Sequence, residues 1–538
     1  MCPIFKPDLR MATHRRGGPA FSIAARMVLA GVALLGSGCS GLKEWYHNGF
    51  KVGPNYQPAP APVAAQWIDQ GDPRILPATP DPTITAWWTV FQDPVLDGLI
   101  ENAYCQNLDL KAAGARILQA RAQRNLITGQ LFPQTQEGFA AFAHAQLSRN
   151  LNIPLPGIIN VWPVGAFASW EPDFWGRYRR AIESASADLD AQADGYHDAT
   201  VLLLAETAES YVQLRVAQER LRLAHQNVEL LRGSLELART RFREGATSEL
   251  DVQQARTSLA QTESLIPALE TDLRQSNNRL CLLLGIPPRD LIPDLGEQPI
   301  PIVPVAIGAG VPAELLRRRP DIRRAERAVA AQSAQIGVAT SDLYPRFALF
   351  GFLGYTADDF KSLFAMKSFT GLIVPNFQWQ ILNYGRVRNN IRAQEARFHE
   401  RVFQYQQTVL RAGQEVEDGL IAFAKVQEQE SHLAKAVQAA ERSAELVLVQ
   451  YREGSVDFNR VYNVQSSLVT QRDQLAVAQG NIALQMIRAY QALGGGWESF
   501  DARANSSPTG VAGGRHPGAH HPPLPEPLAQ STPTGVVR

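Results

Sequence analysis

Few side chains in this 538-residue chain are placed to do covalent chemistry. The best candidate is the thiol of Cys39. Arg10, Arg15, Arg16 and Arg26 make a basic segment, Met27 to Leu35 a short apolar one, and Gly36-Ser37-Gly38 a small-residue run that ends at this cysteine. That order fits an export signal cleaved just before a cysteine that is then acylated, and the apolar stretch is too short to span a bilayer. Leu35 stands one place earlier than the usual cleavage pattern has it, so a plain signal peptide is the competing reading. A start at Met11 would give the basic segment an ordinary length. An acyl group on Cys39 would anchor the chain to a membrane without crossing it. Cys105 and Cys281 both lie in helical patterns and read as two separately buried thiols rather than a disulfide. His516, His520 and His521 could collect a stray metal, but they sit in a Pro-, Gly- and Ser-rich tail that reads as disordered. No Ser/His/Asp grouping, phosphate-binding Gly-rich loop or His-Glu-x-x-His spacing occurs, so neither an enzyme nor a cofactor is expected.

The elements around these residues are more informative. Lys plus Arg and Asp plus Glu both total 52, a net charge of zero, which argues against nucleic acid as a partner. The chain repeats itself at an offset of 209 residues. Arg243-Glu244-Gly245 returns as Arg452-Glu453-Gly454, each after an aromatic, and Gly176-Arg177 returns as Gly385-Arg386. Trp170 is mirrored by Trp379, and Leu284-Gly285 by Leu493-Gly494. A repeat this long is a duplicated half-domain. Each half is expected to hold a helix of about 30 residues (Val95 to Ile127, then Ala313 to Thr340), a β-hairpin, a very long helix, a Glu-Gly turn and a last helix. Leu214, Ala217, Leu221, Ala224, Val228, Leu231, Leu235, Ala238 and Phe242 follow spacings of 3 and 4 without a slip. The same list moved to the second half, Phe423 to Tyr451, is broken only by Glu430. Such a seam predicts a supercoiled rod from Arg179 to Arg243, about 100 Å long. The expected divisions are 1–38 signal peptide, 39–85 extended strap, 86–290 first repeat, 291–312 linker, 313–497 second repeat and 498–538 disordered tail.

The hairpins, at 131–172 and 343–382, have strands of about 10–14 residues. Phe347, Leu349, Gly351, Leu353 and Tyr355 share one face; Phe377, Trp379 and Ile381 alternate with Asn376, Gln378 and Gln380. His144 and Trp162 read as lumen or girdle residues. Strands of this length, alternation and aromatic content suit an outer-membrane barrel. Two hairpins cannot close a barrel, and open edges in lipid leave backbone groups unsatisfied. Copies from other chains must complete it, two chains giving eight strands and three giving twelve.

Several segments resemble outer-membrane efflux lipoproteins of the NodT and TolC type. They are Val52-Gly53-Pro54-Asn55-Tyr56, Trp87-Trp88-Thr89-Val90-Phe91-Gln92-Asp93-Pro94, Ser169-Trp170-Glu171-Pro172-Asp173-Phe174-Trp175-Gly176-Arg177, Leu382-Asn383-Tyr384-Gly385-Arg386, and Ala492-Leu493-Gly494-Gly495-Gly496-Trp497. The resemblance implies a mixed α and β fold. A homotrimeric 12-stranded outer-membrane barrel, four strands per chain, would continue into a long periplasmic α-helical barrel. It implies the exit duct of a tripartite pump, with a periplasmic adaptor and an inner-membrane transporter of the resistance-nodulation-division type as partners. It places adaptor docking at Arg243, Gly245, Arg452, Gly454, Ser455 and Val456. The aperture falls at Leu250, Gln254, Asn459, Arg460 and Asn463. The family's acid ring is absent, because Asn459 and Asn463 stand where an acid is usual; Arg460 is expected to reach an acid on a neighbouring helix. Two other readings remain: the outlet of a type I protein-secretion system, and a non-conducting periplasmic coiled-coil lipoprotein.

Overall fold

The computed structural model describes residues 45–76, 82–146 and 158–506, so Cys39 and the tail histidines lie outside the described residues. The chain opens as a strap that leads to a two-residue strand, β1 (Ile75–Leu76). Two helices follow, α1 (Pro94–Gln106) and α2 (Leu108–Gly129). Where one helix was expected, Asn107 divides two. Its side chain accepts from the Leu110 amide at 2.9 Å as an N-cap and donates to the Leu283 carbonyl at 2.9 Å, so a tertiary bond fixes the break.

Next come β2 (Thr135–Ala140), β3 (Ala143–Gln146) and β4 (Ile158–Trp170). Strands β2 and β3 pair with β4 in one unbroken register. The gap between them faces Pro163, which accepts from Ala141 but has no amide to return. The long helix α3 (Arg177–Arg243) has 67 residues. A pair, α4 (Glu249–Glu263) and α5 (Leu265–Leu283), runs back along it. Strand β5 (Ile307–Gly308) pairs parallel with β1.

The second half begins at α6 (Pro320–Ser341), later than expected, because Pro320 sets the first helical turn. Then come β6 (Arg346–Ala357), β7 (Phe369–Gln378), the 67-residue α7 (Arg386–Arg452), the unbroken α8 (Phe458–Ala492) and α9 (Trp497–Ser506). Strand β7 stops before Trp379 and Ile381, which were expected within it.

The sheet is antiparallel in the order β2–β4–β6–β7, with β3 extending β2, so the chain has four strand positions. One face carries Leu349, Leu353, Tyr355, Ile373 and Phe377; the other carries Glu137, Arg346 and Asn376 beside a run of phenylalanines. His144, bonded to Asn160 at 2.7 Å, and Trp162, packed on Phe142, lie on the first face at the far ends of the strands. Strands β2 and β7 are the outer two, and β7 is exposed along nearly its whole length. No helix among the described residues is long and apolar enough to cross a membrane.

Helices α2, α3, α6 and α7 lie side by side beneath the sheet. The main core sits lower, where Trp87, Leu204, Tyr211, Phe423 and Ile487 are buried together. Three expectations change here. The strap, expected only as an extended segment, is packed on the body: Trp67 and Ile75 join that core, and the Trp67 indole donates to the Gly310 carbonyl at 2.9 Å. Cys105 is exposed, while Cys281 is buried; neither is bridged. Residues 498–506, assigned to the tail, belong to α9, because Phe500 stacks on Tyr104 at 4.0 Å and on Trp88 at 5.7 Å. Along the α3 seam Leu214, Ala217, Ala224, Val228, Leu231, Leu235 and Ala238 are buried, but Phe242 at its end is exposed.

Candidate functional site

The ends of α3 and α7 farthest from the sheet carry the repeated turns. In each, a glycine occupies the left-handed conformation, Gly245 at φ 75° and Gly454 at φ 79°. The amide after it reaches back to close the helix: Ala246 to the Arg241 carbonyl at 2.8 Å, Ser455 to the Gln450 carbonyl at 2.9 Å. This αL glycine with its six-residue return bond satisfies the last carbonyls of a helix and lets the chain reverse. Past the turn, Asp457 caps α8 by accepting from the Arg460 amide at 3.2 Å.

The two turns belong to one small structure. Leu235, Ala238, Val252, Ala255, Val447, Tyr451, Phe458 and Val461 form a core of their own, separate from the main one. Above it lies a polar latch between the halves. The Tyr451 hydroxyl donates to Asp251 at 3.2 Å, and the Thr247 hydroxyl donates to the same carboxylate oxygen. The Arg241 guanidinium lies over the Tyr451 ring, 4.7 Å from its centroid, and occupies the space that a side chain at Gly454 would enter. Arg241 Nη1 is buried with no hydrogen-bond partner, so this charge is held chiefly by the ring face. Burial pushes the Tyr451 phenol above its ordinary pKa, with Asp251 adding to the effect, so the hydroxyl stays a donor.

Of the docking candidates, Arg243, Gly245, Arg452, Gly454 and Ser455 are exposed, while Val456 packs on the small core. Arg243 bonds along its own helix to Thr240 at 3.0 Å and Glu236 at 3.3 Å. Of the aperture candidates, Leu250 is 64% exposed and Gln254 is half-buried. Asn459, Arg460 and Asn463 are exposed on α8, opposite buried Phe458, Val461 and Gln465. The expected ion pair is not made within the chain: the Arg460 side chain forms no salt bridge among the described residues, and only its amide is engaged, with Asp457. Asp251 and Arg241 were not among the residues that the sequence singled out. The available signal was Tyr451, an aromatic with a hydroxyl at a seam position where the first half has Phe242.

A family model described as outer membrane efflux protein matches residues 99–286 and 311–495. The pyoverdine export outer membrane protein OpmQ of Pseudomonas putida is 32% identical over 421 residues, covering 77% of this chain and 88% of its own. Nodulation protein T of Rhizobium leguminosarum bv. trifolii is 29% identical over 434 residues, covering 80% of this chain and 91% of its own. The solved structure of the outer-membrane channel OprN matches with a TM-score of 0.79 at 32% identity, over 83% of this chain and 99% of that one. With its two 67-residue helices, its four strand positions and a family match to both halves, the chain belongs to the outer membrane efflux proteins.

Proposed function

We propose that three copies of this chain form the exit duct of a tripartite efflux pump. The observation that carries the reading is the sheet. Among the described residues its outer strands β2 and β7 have no partner on one side, and β7 is apolar and exposed, a combination that invites pairing with another chain. Three chains with four strand positions each close a twelve-stranded barrel, with the Leu349, Leu353 and Ile373 face toward lipid. Helices α3 and α7, each about 100 Å long at ~1.5 Å per residue, then carry the lumen down into the periplasm. Cys39 bears the acyl anchor in the outer membrane. The exposed residues of the turns, with Val456 beside them, receive the adaptor, which joins the duct to a transporter of the resistance-nodulation-division type.

The turns also form the gate. The latch of Arg241, Tyr451, Thr247 and Asp251 holds the two hairpins of one chain together at their tips, and opening must part them. Leu250, Gln254, Asn459, Arg460 and Asn463 stand nearest the opening and set its width. Exported solutes are the cargo, as the name of the OpmQ relative says of that protein.

The test is native mass measurement of the detergent-extracted protein followed by planar-bilayer recording. A trimer with ohmic single-channel conductance is expected. A stable monomer that conducts nothing would overturn the duct and leave a structural coiled-coil lipoprotein.

A further inference from the structure

The upper helical layer has two unlike faces. The strap crosses one of them. Arg179 donates to the carbonyls of Gly49 and Phe50, Tyr56 bonds Glu326 on α6, Gln406 donates to the Pro60 carbonyl, and Glu417 accepts from the Ile68 amide. Helix α9 lies on the same face, with His197 stacked on Trp497 at 4.4 Å. At about 3.6 residues per turn, the opposite side of α3 carries Ala181, Ala185, Asp188 and Gln192. These residues line a concavity of about 550 Å³ that Arg116 on α2 also faces. The opposite side of α7, found the same way, carries Arg386, Arg397, Arg401 and Arg411.

These arginines do nothing evident for the fold. Arg397, Arg401 and Arg411 are exposed, and none of them, nor Arg116, forms a salt bridge among the described residues. Arg401 bonds only Gln404, one turn along, at 3.0 Å, and Arg386 bonds Gln380 at 2.6 Å. The duplication makes their identity more telling. Shifted by 209 residues, Arg397, Arg401 and Arg411 correspond to Asp188, Gln192 and Leu202 in the first half. The second half has therefore placed three arginines where the first half has an acid, an amide and a leucine. Acids on this face are Asp109, Asp188 and, toward its flank, Glu400 and Asp418; Glu415, one turn past Arg411, is taken up by Arg319 at 2.7 Å. Burial weakens Asp188 as an acid, with Arg401 opposing. Five arginines against four unpaired acids leave one positive charge per chain, which a trimer triples, and the three arginines Arg386, Arg397 and Arg401 gather it at the upper end. The aperture does not offset it, since Asn459 and Asn463 are neutral.

We infer that this arginine-lined face is the inner wall of the upper duct and that it selects for anionic cargo, small organic molecules bearing carboxylate or similar groups. The inference rests on the duct reading, which puts the strap-covered face outside. A charged wall facing a narrow water column raises the local concentration of counter-ions.

The measurement is the reversal potential of the full-length trimer in a planar bilayer under a KCl gradient. Wild type should prefer chloride over potassium, and R397Q/R401Q/R411Q should lower that preference at least twofold with conductance retained. A cation-selective wild type, or an unchanged reversal potential in the triple variant, overturns the inference while leaving the duct intact. Absence of any conductance counts against the duct instead. The wall is then read directly with Gln404→Cys in a Cys105→Ser background, comparing anionic with cationic methanethiosulfonate reagents by intact mass. Faster anionic labelling that slows at least threefold in the triple variant supports the charged wall; equal rates overturn it.

Discussion

Arg241 and Tyr451 show how much a single contact can carry at the tip. A guanidinium with a buried, unbonded nitrogen is covered by the Tyr451 ring, whose hydroxyl is fixed on Asp251. Tyr451→Phe removes one hydrogen bond to a carboxylate, about 1.5–3 kcal/mol in general. It keeps the ring. Open probability in planar bilayers is therefore expected to rise, and to rise further in Y451F/R241A; an unchanged record would place the restraint elsewhere. The neutral character of Asn459 and Asn463 was legible because identity needs no geometry. Arg241 was not, because its role depends on the second hairpin, 210 residues along the chain, lying beside the first.

Among the elements, the long helices were the most legible. Their seam of 3 and 4 spacings placed α3 within two residues of its start and at its observed end. What the sequence concealed were the joints. Asn107 splits α1 from α2 through a bond to Leu283, and nothing local announces a partner that remote. The turns make a clean test: Gly245→Ala places a Cβ at positive φ, costing about 1–2 kcal/mol. Gly454→Ala should cost more, since its Cβ would also stand 3.2 Å from Arg241. Thermal unfolding of the extracted protein would rank the two. In the sheet, Gly165 and Gly354 face each other, and a Cβ on either would come within 2.5 Å of a backbone oxygen across the pair. Gly165→Val is expected to lower the share of trimer in native mass spectra of the extracted protein. The strap has its own signature. Asp72 is held at a pKa of about 2 by its hydrogen bonds with Arg74, which also pairs with Glu428 on α7 at 2.9 Å. Because that pKa is lowered in the folded chain, the bond's contribution is full above about pH 4 and fades as pH falls toward 2. Pepsin cleavage within the strap should accelerate over that interval, and Asp72→Asn should loosen the strap already at neutral pH.

For the molecule as a whole, the incomplete sheet is the controlling fact. The strand count could be read from alternation and length, whereas the join between the halves, β4 on β6, could not, because it depends on register between remote segments. Ile373 lies on the apolar face of β7 and is 74% exposed in the single chain. Arginine there would cost about 2–4 kcal/mol near the middle of a bilayer. Ile373→Arg should shift the extracted protein from trimer toward monomer in native mass spectra, while Asn376→Arg on the opposite face should leave the assembly intact.

The strap also has a mechanical consequence. Within the described residues it runs from Trp45 beside the sheet over α3, α6 and α7 to the point where Arg74 meets Glu428, just before β1. Laid across one side of the shaft this way, it acts as a lashing across staves, tying three helices to one another. That length is braced, and α7 is left with about 36 Å of unlashed rod below Glu428 at ~1.5 Å per residue. Bending is therefore expected in those lower reaches, with the lashing as its fulcrum.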